Sequence, residues 1–112
     1  MPESPILGGG KAFQFSDSIF DVSSAGAEIQ TTVLNYEHFG ISGVCCNGHY
    51  YKPGPENPTN QAISCPLIDA KIKDNTIEII VSENTEKTNQ QILLTVTVGN
   101  AYGTITINQK GK

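Results

Sequence analysis

Residues 75–109 alternate one by one between aliphatic and polar side chains. Ile77, Ile79 and Val81 form one series, Ile92, Leu94, Val96 and Val98 a second, and Ile105 and Ile107 a third. A two-residue period sends successive side chains to opposite faces of a strand, so each series marks a strand with one buried and one wetted face. Most of these apolar residues are β-branched and interleaved with Thr, a composition that suits a pleated surface and disfavours a helix. Residues 83–86 and 99–103 carry turn chemistry, which predicts that the three series join as an antiparallel meander.

Upstream the pattern is shorter but of the same kind. Residues 11–15 alternate, Ile19-Phe20-Asp21-Val22 follows a Ser-Asp-Ser break, and residues 28–35 have strand composition with Ile29, Thr31 and Val33 on one face. Another strand is expected from Phe39 to Cys45. From residue 46 to residue 64 the alternation fails, and Asn47-Gly48, Pro53-Gly54-Pro55 and Asn57-Pro58 punctuate what reads as one long irregular loop. Asn57-Pro58-Thr59 has the spacing of a glycosylation acceptor, but the central proline excludes it.

A chain of 112 residues is the length of one domain. The reading is a single all-β antiparallel sandwich of about seven to eight strands over residues 11–110. Residues 1–10, ending in three glycines, read as a flexible spacer. No basic start or apolar stretch marks a signal peptide within them, so export rests on a leader removed upstream. No run approaches the roughly 18 apolar residues of a membrane span. The net charge is -4, seven Lys are scattered and Arg is absent, which argues against nucleic acid and against bidentate phosphate recognition. No cofactor motif is present.

The chemistry-bearing residues gather near the irregular loop. Cys45 and Cys46 precede it and Cys65 follows it, and a bridge from Cys45 or Cys46 to Cys65 would contribute about 3 kcal/mol by closing the intervening loop. A zinc site built on Cys46, His49 and Cys65, with His38 as a further donor, is the weaker alternative, because no second paired cluster completes it. A Cys-His nucleophile has no orienting group in the sequence, so the chain reads as non-enzymatic. Tyr36, Tyr50 and Tyr51, with the amides of Asn47 and Asn57, form the candidate ligand-binding set: aromatic faces meet apolar sugar faces while amides bond hydroxyls.

Asn75-Thr76-Ile77-Glu78-Ile79-Ile80-Val81 and the later Thr104-Ile105-Thr106-Ile107-Asn108-Gln109 resemble the end of a BACON domain (Bacteroidetes-associated carbohydrate-binding often N-terminal). The Ile-x-Ile-x-Gln ending is the most specific part, and residues 20–29 resemble the family's opening strand, glycine turn and second strand. The resemblance implies an immunoglobulin-like sandwich on an exported, cell-surface or periplasmic protein, tethered by a lipid anchor through its leader region. It implies a spacer or a glycan-binding module, with a protein or glycan partner. Tryptophans expected near Phe39 and near Leu67 are absent.

Overall fold

The computed structural model describes residues 12–53, 60–99 and 101–112. Among them nine strands form and no helix does: β1 (Ile19–Val22), β2 (Ala27–Thr32), β3 (Gly40–Cys46), β4 (His49–Tyr51), β5 (Ala62–Ser64), β6 (Ile68–Lys73), β7 (Thr76–Val81), β8 (Gln90–Val98) and β9 (Ala101–Gln109). They make two sheets, β1-β9-β8-β3-β4 and β2-β7-β6-β5. All pairings are antiparallel except β1 on β9, where Phe20 lies opposite Ile107 in a parallel register. The spacer expected at residues 1–10 lies outside the described residues.

The three aliphatic series are strands, but they do not form one meander. β7 pairs with β2 and β6, whereas β8 pairs with β3 and β9, so the chain crosses from one sheet to the other between Val81 and Gln90. Alternation specifies which face of a strand is buried and is silent about which sheet receives it. The crossover is held by Asn84, which is buried: its Nδ2 donates to Thr88 O at 3.0 Å and Lys110 O at 3.1 Å, and its backbone N–H donates to Ser24 O. The segment read as one irregular loop also contains structure. Asn47 and Gly48 both have positive φ and close a two-residue hairpin between β3 and β4, and β5 occupies its far end.

Between the sheets, Ile41, Val44, Ile92, Leu94, Val96, Ile105 and Ile107 face Ile63, Ile68, Ile77 and Ile79, each almost completely removed from water. Burying a side chain of this size stabilises by about 1.5–3 kcal/mol, so this layer supplies the main driving force. One end is closed by an aromatic cluster in which Phe13 packs on Phe15, Tyr36 and Phe39 with centroids 4.6–5.9 Å apart. Gly103 makes room for it, since a Cβ there would stand 2.5 Å from Phe13 Cβ.

The other end is closed by amides. Gln109, 1% exposed, donates from Nε2 to Ser23 O at 3.1 Å and Ser82 O at 2.8 Å, and its Oε1 accepts from Gln90 Nε2 at 2.8 Å. Gln90 Oε1 in turn lies 3.8 Å from the Cys46 thiol. This relay ties β9, β8 and β3 to both loops at the base of the second sheet. Gln109→Ala would take their side-chain partner from Ser82 O and the Gln90 amide and leave Ser23 O with only the Gly26 N–H, with an expected cost of about 2–3 kcal/mol and a fall in Tm on the order of 10 °C. Gln91→Ala, on the wetted face one residue from Gln90, is expected to stay within about 0.5 kcal/mol of the parent. Thermal unfolding followed by circular dichroism compares them, and equal losses would contradict the assignment.

Candidate functional site

The cross-strand register places the outward side chains of the five-stranded sheet in rows. Tyr50, Cys45, Leu93, Thr106 and Ile19 form one row running across all five strands. On one side of it lie Gln91, Asn108 and Asp21, joined by Gln91 Nε2 to Asn108 Oδ1 at 3.1 Å and Asn108 Nδ2 to Asp21 Oδ1 at 3.3 Å. On the other side come Gly43, Thr95 and Thr104, then Gly40, Thr97 and Tyr102. Asp21 is the single charged residue in these rows, and Ile19, Tyr50 and Tyr102 are each more than half exposed.

Tyr50 is the fixed point of this face. Its ring lies against Gly43, where a Cβ would stand 2.5 Å from its Oη and 2.6 Å from Cζ. The hydroxyl donates to Ser42 O at 3.1 Å and lies 3.3 Å from Ser42 Oγ, while Lys52 Nζ sits 5.9 Å from the ring centroid. A β-bulge between Ile41 and Gly43 brings Ser42 within this reach. One ring face is thus seated on glycine backbone while half the side chain remains in water. An aromatic ring held this way offers contact area with little rotamer entropy left to lose on binding.

The other candidate residues do not join it. Tyr51 lies across from Val44 and packs half-buried against the core, and Tyr36 belongs to the aromatic cluster around Phe13. Asn47 serves the hairpin turn, with φ of 52°. Asn57 lies outside the described residues. Among the described residues of the predicted loop site, Tyr50 is the one that stands on this face. Sequence reasoning missed Tyr102, Gln91 and Asn108, although their positions as the polar members of alternating runs already placed them on a wetted face.

The bridge expected from Cys45 or Cys46 to Cys65 is not formed: all three are free thiols. Alternation sends Cys45 outward beside Tyr50 and Leu93 and turns Cys46 inward, where its thiol meets Gln90. The zinc alternative also fails to assemble. His49 is exposed while Cys46 is buried across the turn from it, and no group of three or more His, Cys, Asp or Glu able to hold a metal occurs among the described residues. Burial pushes the Cys46 thiol above its ordinary value of 9.0, and the neighbouring thiols of Cys45 and Cys65 push it further. No helix among the described residues is long and apolar enough to cross a membrane.

Two facing sheets, Greek-key-like crossing of the chain between them and a parallel first strand define an immunoglobulin-like β-sandwich. Solved structures share it. The NMR structure of a protein from Bacteroides thetaiotaomicron matches with a TM-score of 0.75 and 20% identity, over 98% of this chain and 96% of that one. The M1 domain of titin matches with a TM-score of 0.59 and 8% identity over 88% and 93%. A structure of the titin kinase and its flanking domains matches with a TM-score of 0.57 and 7% identity, over 85% of this chain and 16% of that one. No family profile and no curated protein matches the sequence.

Because Cys46 holds its proton more tightly when folded than when unfolded, its contribution to stability is complete below the unfolded thiol pKa and declines as pH rises through the raised folded value. At neutral pH the expected order of iodoacetamide labelling puts Cys46 last, with Cys45 and Cys65 ahead of it. Peptide mass mapping after timed labelling checks this, and rapid labelling of Cys46 would contradict its burial.

Proposed function

We propose that the chain is a non-enzymatic interaction module, exported and held at the cell surface or in the periplasm of a Bacteroidetes-type bacterium, with a protein or glycan partner and a lipid anchor in its leader region. One observation carries the interaction role: the rows on the outer face of the five-stranded sheet hold a single charged residue, Asp21, and end at the β4 edge on a tyrosine whose ring is already fixed. Such a face suits contact with a partner, because little must be ordered on binding. The surface location rests on the resemblance to BACON domains, which the Gln109 ending carries most specifically. That ending is structural here, since Gln109 closes the base of the sandwich.

A carbohydrate-binding role is the second reading, and the Tyr50 geometry favours it. A ring resting on Gly43, with threonine hydroxyls and the amides of Gln91 and Asn108 in neighbouring rows, offers stacking and hydrogen bonds to one neutral sugar chain. The site it uses is the sheet face, to which the 46–64 segment contributes Tyr50.

Affinity electrophoresis through gels containing plant and host polysaccharides separates the two. On the glycan reading at least one gel retards the parent, and Tyr50→Ala abolishes retardation with the circular dichroism spectrum unchanged. Absence of retardation on every gel leaves the protein-partner reading. Hydrolysis of any of these polysaccharides by the purified domain would overturn the non-enzymatic assignment.

A further inference from the structure

The second sheet has an outer face of the opposite character. Its outward residues also fall into registered rows, Glu28–Ile80–Asp69–Ser64 and Gln30–Glu78–Lys71–Ala62, running across β2, β7, β6 and β5. These eight positions line a groove of about 690 Å³. Its charges are partly settled among themselves: Lys71 Nζ lies 3.6 Å from Glu78 Oε1, and the Ser64 hydroxyl donates to the Asp69 carboxylate. Glu28 has no ion pair among the described residues, and Asp69 has only that hydroxyl. Between these two carboxylates in the same row stands Ile80, 53% exposed.

At this position an exposed aliphatic side chain is flanked across both neighbouring strands by carboxylates without a protein cation beside them. Water covers the apolar surface and no counter-charge covers the acids. A lysine side chain answers both needs, because its methylene stem packs on apolar surface while its ammonium reaches a carboxylate. An acidic partner is disfavoured by the same charges, and a neutral sugar chain would leave them unanswered.

We propose that this groove binds an extended cationic peptide segment of a partner protein, with a lysine laid over Ile80 between Glu28 and Asp69. The proposal rests on the reading of the chain as an interaction module, and it uses a different face from Tyr50. Strand spacing makes the groove about 14 Å across, which is the reach of about four extended residues. Backbone pairing is not required of the ligand, since the contacts are made by side chains on the sheet face.

The probe is the synthetic peptide Ac-Lys-Ile-Lys-Ile-Lys-amide, titrated into isotopically labelled protein and followed by amide chemical shifts, with the Glu-for-Lys peptide as control. The expected result is saturable shifts at Glu28, Asp69 and Ile80, weakened by added salt, with none from the acidic peptide. Glu28→Gln with Asp69→Asn is expected to lower affinity about tenfold or more. Ile80→Thr, which keeps strand preference at an exposed site, is expected to weaken binding without changing the salt dependence. Shifts confined to other surfaces, absence of saturation, or binding unchanged in the double variant would overturn the groove. Such a failure would leave the Tyr50 face and the module reading in place, because those are read by the gel assay and not by this titration.

Discussion

The buried amide relay at the base of the sandwich is the interaction on which the rest depends. Gln109 and Gln90 stand opposite each other in the β8–β9 register and point inward, so each must find a partner there or pay the cost of an unsatisfied buried amide. They satisfy each other, two carbonyls of the facing loops and the Cys46 thiol. A slip of β9 by one residue would turn Gln109 into water and bring Asn108 inward without those partners. Hydrophobic alternation favours the same register, and the relay adds a polar reason for it that aliphatic packing alone does not supply.

That register decides what the outer surfaces display. With β9, β8 and β3 fixed, Tyr50 lies over Gly43 and the amides of Gln91 and Asn108 line up with Asp21, giving one face whose rows carry a single charge. The crossover pinned by Asn84 sends β7 to the other sheet, where Ile80 emerges between Glu28 and Asp69. The two faces differ in charge because their strands differ in outward residue type, Thr and amides on β8 and β9 against Glu, Asp and Lys on β6 and β7.

Much of the fold was legible in the sequence, and particular residues show why the remainder was not. Ile77, Ile79, Ile92, Leu94, Ile105 and Ile107 announced their strands through a strict two-residue period. The same period could not say that β7 and β8 belong to different sheets, because each series is satisfied by any apolar surface opposite it. Asn47-Gly48 is a turn signal in the sequence, but the three residues of β4 that follow it are too few to show alternation, so the hairpin does not stand out from a loop. For the site, composition drew attention to every tyrosine near the cysteines. Register distinguishes Tyr50, outward on Gly43, from Tyr51, one residue on and turned toward the core, and ring packing on Phe13 sets Tyr36 apart from both.

A double-mutant cycle on Gln90 and Gln109 tests the relay most directly. Each is replaced by alanine singly and together, and unfolding free energies are measured by urea titration. The account predicts a coupling energy of about 1 kcal/mol or more, with the double variant less destabilised than the sum of the single ones. A coupling energy near zero would contradict it, since the two amides would then be acting independently and the register would rest on aliphatic packing alone.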